Sequence, residues 1–191
     1  MSATTLFPAF LKLTGRRVLV VGGGPVAASK LAALTDAGAD IVVVAPEMVP
    51  EIRTAEAELV KRRFQPTDLD DAWIVVAAAP PEVNRDVARE AEARQLFVNA
   101  VDDPPNATVY LGGVVRRGGV TVAISTDGQA PALAGLIRQA LEALLPEKEV
   151  ARWLSTAQEQ RRQWMANEVP MDERRPLLLR ALAGLYKDRQ H

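Results

Sequence analysis

Arg17-Val18-Leu19-Val20-Val21-Gly22-Gly23-Gly24-Pro25-Val26-Ala27 is the stretch that decides the fold. A short β-branched run ends in three glycines and leads directly into a segment with helical spacing. The glycines satisfy G-x-G-x-x-A. In that pattern Gly22 permits the tight turn, Gly24 lets the backbone approach a pyrophosphate, and Ala27 allows close packing of helix on strand. The phosphates of such a ligand rest on free N–H groups and on the positive end of the helix dipole. Pro25 suits the first helical position, where an N–H has no acceptor anyway. A glycine motif alone is weak evidence. The strand before it, the helix after it and a second strand at the right distance are the confirming context; a merely structural glycine turn is the alternative.

Working outward, residues 26–37 carry Ala27, Leu31 and Leu34 on one side, with Gly38 closing the helix. Residues 40–44, 59–64, 73–78 and 96–98 read as further strands, the 59–64 run being more polar and nearer an edge. Residues 81–95 read as an amphipathic helix with Val83, Val87 and Ala91 at four-residue steps. Short apolar strands alternating with helices predict an α/β fold, a parallel sheet covered on both faces. Right-handed crossovers make it a doubly wound, Rossmann-type sheet.

After Asp102 the pattern changes. Asp102-Asp103-Pro104-Pro105-Asn106 breaks the alternation, and runs at 108–116 and 120–125 flank Arg117-Gly118-Gly119 as a β-hairpin. A helix follows over 131–145, ended by Pro146. Two more helices are expected over 147–166 and 173–187. The predicted organisation is therefore a nucleotide-binding domain over 1–103, a hairpin-and-helix region over 104–146, and a small helical domain over 147–191.

Composition narrows the chemistry. The 191 residues are 48 % hydrophobic and 25 % charged, an ordinary globular balance for one domain with an appendage. The formal net charge is −1, which argues against a nucleic-acid partner. Residues 1–103 have an acidic excess and residues 151–191 a basic one. There is no cysteine, and the single histidine is His191. Disulfides, thiolate chemistry, a Ser-His-Asp triad and a multi-histidine metal site are excluded within one chain. Carboxylates, hydroxyls, Lys/Arg, backbone groups or a bound cofactor must do the work. No apolar run approaches the roughly 20 residues a bilayer span needs, and the start lacks a basic n-region. The expectation is a cytoplasmic protein without a membrane partner.

The second strand ends Val44-Ala45-Pro46-Glu47. An NAD fingerprint expects an acid at this strand end to hold the ribose hydroxyls. Ala45 stands there instead, so the adenosine ribose falls to backbone atoms around Ala45 and Pro46. A preference for NADP needs a nearby cation. Arg53, Arg62 and Arg63 are available, but they read as solvated surface, and NAD is favoured. Asn99-Ala100-Val101-Asp102 follows the fifth strand, and ligands of open α/β sheets bind beyond the carboxyl ends of the strands. Asp102 is thus placed for proton transfer near a cofactor's reactive end, with burial there raising its pKa. Equally, Asp102 or Asp103 caps a turn before the prolines. Ser125-Thr126-Asp127-Gly128-Gln129-Ala130-Pro131 caps the next helix or binds an anion. Arg116, Arg117 and Arg138 offer guanidinium forks for a polycarboxylate.

Taken together, these residues resemble one family. Leu6-Phe7-Pro8-Ala9-Phe10-Leu11, the Gly15–Gly24 stretch with Val26, Ala27 and Lys30, Asn99-x-Val101-Asp102, Val120–Thr126, Pro131-Ala132-Leu133-Ala134 and Arg138 are similar to the amino-terminal module of siroheme synthase. That family is precorrin-2 dehydrogenase, in some members also sirohydrochlorin ferrochelatase. The resemblance covers residues 6–146. It implies an NAD-binding Rossmann domain, a dimerisation region over 104–146 that exchanges between the chains of a homodimer, and a helical domain. It also implies oxidation of precorrin-2 to sirohydrochlorin, with Asp102 catalytic. NAD contacts fall at Gly22, Gly23, Gly24, Pro25 and Val26 and at Ala45 and Pro46, the family sharing this non-acidic corner. Ser125, Thr126 and Arg138 become substrate contacts. Fe²⁺ enters as a substrate in the bifunctional members, held by the macrocycle and by no protein metal site. Asp127 and Ala130 depart from the family's Gly and Ser. A non-catalytic NAD(H)-sensing module, with Asp102 a turn cap, is the alternative. A chelatase with a vestigial nucleotide site is a third reading.

Overall fold

The computed structural model describes residues 6–101 and 103–186. The chain divides into two units, Met1–Leu111 and Gly112–His191. The first is built on β1 (Arg17–Val21), β2 (Asp40–Val44), β3 (Glu58–Val60), β4 (Ile74–Ala77) and β5 (Phe97–Ala100). All pair in parallel, in the order β3-β2-β1-β4-β5. Helices α1 (Pro25–Asp36), α2 (Pro50–Arg53) and α3 (Pro81–Glu92) make three of the connections.

Strand alternation sorts the core into two layers. Val18 and Val20, Ile41 and Val43, Ile74 and Val76 face one side, where Ala27, Leu31 and Leu34 of α1 and Ile52 of α2 cover them. Leu19 and Val21, Val42 and Val44, Val75 and Ala77 face the other, where Val87, Ala88 and Ala91 of α3 close the layer. Burial on both faces is why these strands carry apolar residues at every step rather than alternately. Gly38, at φ +72°, ends α1 as the sequence predicts, its N–H bonding the Thr35 carbonyl at 2.8 Å.

Strand β5 lies at a sheet edge, and the returning chain covers it. Val98 O accepts the N–H groups of Thr108 and Val109 at 2.8 and 3.0 Å. Thr108 Oγ1 accepts the Val98 N–H at 2.8 Å, and Asn99 Nδ2 donates to Val109 O at 3.0 Å. This blunts an edge that would otherwise pair with another chain. It also explains a shorter hairpin than the sequence suggests, because Thr108 and Val109 are engaged here and no strand forms before Gly113. The third strand is likewise shorter than expected. It stops at Val60, where Arg62 turns away to bond both carboxylate oxygens of Asp68, at 2.8 and 2.5 Å.

The second unit opens with an antiparallel hairpin, β6 (Gly113–Arg117) and β7 (Val120–Ile124). Gly118 and Gly119 hold its two-residue turn at φ +52° and +86°, the left-handed pair that matches strand twist. Three helices follow: α4 (Pro131–Leu144), α5 (Glu147–Ala166) and α6 (Met171–Gly184). Trp153 Nε1 donates to Tyr186 Oη at 2.5 Å, and that hydroxyl donates to Glu149 at 2.8 Å. On α4, Leu133, Leu136 and Leu144 are 50–72 % exposed. Among the described residues no helix is long and apolar enough to cross a membrane.

Candidate dinucleotide site

The sheet order changes direction between β1 and β4, and ligands of such sheets bind beyond the carboxyl ends at that point. There the three glycines do different work. Gly22 sits at φ +132°, and a Cβ on it would lie 2.2 Å from the Ala78 carbonyl oxygen. Gly23 is pressed from the other side, where a Cβ would lie 1.7 Å from the Glu47 carbonyl oxygen. Its own carbonyl accepts the Val49 N–H at 2.8 Å. Only Gly24 faces open space, with nothing within 4 Å of an added Cβ. The bend is therefore wedged between the β2–α2 loop and the β4–α3 turn, and one glycine presents bare backbone outward.

Gly24 is the N-cap of α1, and it has no side chain to bond the helix start. Pro25 has no N–H, and the first helical bond runs from Ala28 to Gly24 O at 3.0 Å. The N–H groups of Val26 and Ala27 thus meet no acceptor among the described residues. Unpaired donors, a positive helix end and an empty approach over Gly24 suit a diphosphate. Ala27 is fully buried beneath α1, as close helix–strand packing requires.

At the end of β2, Ala45 is buried while Pro46 and Glu47 are exposed. Of the cations considered for a 2′-phosphate, Arg53 gives its Nε to Met48 O at 2.8 Å, and Arg62 is committed to Asp68. Among the described residues Asp68 is the buried acid of this unit, and it is held in an ion pair with Arg62. Burial works against its ionisation, but the Arg62 guanidinium and the Gln65 N–H more than offset this and hold its carboxyl below the usual carboxylate range.

Asp102 lies outside the described residues. Its neighbour Asp103 is engaged in the turn that follows β5. Asn106 Nδ2 donates to the Asp103 carboxylate at 2.8 Å, and Asn106 N–H bonds the Asp103 carbonyl at 3.1 Å. Asp103 therefore does the turn-holding work that the sequence assigns to either acid. Sequence reading missed Asn84, which is 4 % exposed and accepts the Ala79 N–H on Oδ1 at 2.9 Å. The available signal was an amide three residues into a helix opened by two prolines.

Ser125, Thr126 and Arg138 belong to the second unit. Ser125 Oγ accepts the Asp127 N–H, and Thr126 Oγ1 the Ala130 N–H, each at 3.1 Å. These are local bonds that tighten the turn before α4, with Asp127 at φ +53°. Arg138 is paired with Glu142 one helical turn on, at 2.6 Å. Among the described residues no group of three or more His, Asp or Glu side chains could hold a metal ion.

An open parallel sheet with a glycine bend feeding a helix at its switch point defines the dinucleotide-binding Rossmann class. Comparison with known proteins agrees. Residues 9–113 match the family described as putative NAD(P)-binding, and residues 117–144 match the central segment of sirohaem biosynthesis proteins. The chain belongs to this NAD(P)-binding family. It is similar to the siroheme synthase of Xylella fastidiosa (strain M12), 41 % identical over 193 residues, covering 96 % of this chain and 40 % of that protein. It is also similar to the siroheme synthase of Photorhabdus laumondii, 45 % identical over 144 residues, 73 % of this chain and 31 % of that one. The chain thus spans about a third of the length of the curated relatives it matches. A solved structure titled SirC, precorrin-2 dehydrogenase, superposes with a TM-score of 0.73 at 28 % identity, covering 92 % of this chain and 88 % of that one.

Proposed function

We propose that this chain is an NAD⁺-dependent dehydrogenase that oxidises precorrin-2 to sirohydrochlorin in siroheme biosynthesis. The observation that carries the reading is the bare, open face of Gly24 above unpaired N–H groups at the start of α1. The likeness to a precorrin-2 dehydrogenase over nearly the whole of both chains supplies the substrate. NAD rather than NADP fits the β2 corner, where Arg62 is tied to Asp68 and Glu47 is exposed.

In this reading the substrate loses two hydrogens, one as hydride and one as a proton. NAD⁺, when bound, supplies the hydride acceptor. The chain's own part is to hold the diphosphate on Gly24, Val26 and the α1 dipole, with Gly22, Gly23 and Pro25 shaping the bend and Ala45 and Pro46 flanking the ribose. Asp102 accepts the proton. The sequence offers no cysteine, and its one histidine is residue 191, so a carboxylate is the natural base. Asp103 is already bonded to Asn106. Arg138 would exchange Glu142 for a substrate carboxylate, and Ser125 and Thr126 would be further substrate contacts. Two chains form a homodimer through the apolar residues that α4 exposes. Where Fe²⁺ is inserted, it enters as substrate.

The test is an anaerobic assay with precorrin-2 and NAD⁺, followed by NADH absorbance and the product spectrum, with Fe²⁺ added afterwards. NADH formed in step with sirohydrochlorin supports the proposal. No NADH from saturating precorrin-2 with folded protein removes it.

A further inference from the structure

We infer that Asn84, in the first turn of α3, is a positioning residue for the dinucleotide. The inference rests on the cofactor reading above. Strand β4 delivers Ala78 and Ala79 to the carboxyl edge of the sheet, and Pro80 and Pro81 follow. Neither proline has an N–H, so Ala79 carries the last backbone donor before α3. Beyond Glu82, the Val83 and Asn84 N–H groups both bond the Pro80 carbonyl, at 2.9 and 3.0 Å. The Ala79 N–H goes to Asn84 Oδ1 at 2.9 Å. Asn84 is 4 % exposed and Ala79 is half-buried, so losing the amide oxygen leaves the Ala79 N–H without its protein acceptor in a partly buried turn, at the cost of a shift or a penalty.

The shift would reach the bound ligand. The Ala78 carbonyl and Gly22 are in contact with no room for even a methyl group between them. The same bend leaves Gly24 open. Moving the β4–α3 turn therefore pushes on the bend that shapes the diphosphate cradle. Val87 and Ala91 are fully buried and Ala88 nearly so, which already anchors α3 to the sheet. Packing alone would be served as well by an apolar residue at 84, without the cost of burying an amide. The amide instead fixes a turn.

The experiment compares the full chain with Asn84→Ala, which loses the acceptor, and Asn84→Asp, which keeps an oxygen there. NADH affinity is read by fluorescence titration, NAD⁺ KM and kcat by the precorrin-2 assay, and the unfolding midpoint is measured on the same samples. The expected result is a Kd for NADH raised about tenfold in Asn84→Ala, the scale of a sub-ångström misplacement. In that variant kcat at saturating NAD⁺ stays within about threefold, the signature of lost binding rather than lost chemistry. Asn84→Asp returns close to the wild-type Kd. A folded Asn84→Ala that binds NADH as the wild type does overturns the inference, as does an Asn84→Asp that binds no better than Asn84→Ala. Should Asn84→Ala not fold, hydrogen exchange at the Ala79 amide of the wild type decides. Protection matching the α3 amides and deepened by NADH supports the assignment; exchange at open-loop rates overturns it. A wild-type chain that binds no NADH defeats the cofactor reading itself, a different failure from normal binding by the variant.

Discussion

Replacing Gly24 by alanine separates ligand binding from folding. Gly24 has φ −89° and ψ −179°, a conformation any residue adopts, and an added Cβ meets nothing within 4 Å. The fold should accept the methyl group, with a stability change within about 0.5 kcal/mol. Gly22 is the internal control. Its φ of +132° and the 2.2 Å approach of the Ala78 oxygen combine backbone strain of about 1–3 kcal/mol with overpacking of about 1–3 kcal/mol. The ligand sees the opposite ranking. A phosphate oxygen bonded to an N–H of the bend lies about 2.9 Å from nitrogen, whereas a methyl carbon tolerates contact only at about 3.5 Å. The methyl on residue 24 therefore displaces the diphosphate from its donors. A hydrogen bond to a charged group contributes about 1.5–3 kcal/mol. Losing one raises the Kd for NADH about 10- to 150-fold at 1.4 kcal/mol per decade. Gly24→Asp adds like-charge repulsion and should abolish binding. The assay is NADH titration by fluorescence with thermal melts of the same preparations. Wild-type NADH affinity in Gly24→Ala, or a melting point depressed as far as that of Gly22→Ala, would refute the division of labour among the glycines.

The remaining expectations are briefer. Asp102→Asn should cut precorrin-2 oxidation by about 10²-fold or more while leaving the Kd for NADH within about twofold in the same assay; a sensing module has no such turnover to lose. Asp68→Asn should lower the unfolding midpoint at pH 7, because the Arg62 pair is lost while the Gln65 N–H keeps an acceptor. Asp68 has a depressed folded pKa, so its stabilisation is present above the unfolded carboxylate value near about 3.9. That contribution fades as pH falls through the folded pKa, so melts of the two proteins should converge in acid. Leu136→Asp, at a residue 64 % exposed on α4, should halve the mass seen by light scattering; an unchanged mass removes α4 from the interface.

The fold was legible wherever burial on two faces dictated composition. The runs at 17–21 and 40–44 match β1 and β2 end to end, because continuous Val/Leu/Ile leaves no freedom over which residues enter the sheet. Legibility failed where side chains overrode the pattern. Residues 61–64 read as strand, but Arg62 bonds Asp68 and its own N–H turns back to the Val60 carbonyl. Residues 108–112 read as hairpin because Thr108 and Val109 have β propensity, yet that propensity is spent covering the edge of β5. At the site, the sequence assigned Gly22 to the turn, where it stands at φ +132°, and Gly24 to the ligand, a role that stays a proposal although an added Cβ there meets nothing within 4 Å. It could not see that Gly23 is fixed by the Glu47 carbonyl, a contact between positions far apart in sequence. Nor could it see Asn84, whose value depends on which backbone donor two prolines leave unmet.

The two adjacent acids are interchangeable in sequence, and local bonding gives Asp103 a definite place in the turn. Before Pro104-Pro105 either carboxylate could hold the turn, and a turn needs only one. Asp103 accepts from Asn106, its carbonyl accepts the Asn106 N–H, and the Ala107 N–H closes on the Pro104 carbonyl at 3.2 Å. The neck of this loop is held separately, by Thr108 and Val109 on Val98 and by Asn99 on Val109. Among the described residues, Asp103, Asn106, Thr108 and Asn99 supply the side-chain bonds of turn and neck. For Asp102 the proposed role is proton acceptance, in a chain whose one histidine is residue 191. The structural alternative, Asp102 as the turn cap, would require Asp103→Asn to leave the loop intact and Asp102→Asn to unravel it. Amide exchange at Asn106 and Ala107 in those two variants separates the readings, and the bonds present predict the reverse order.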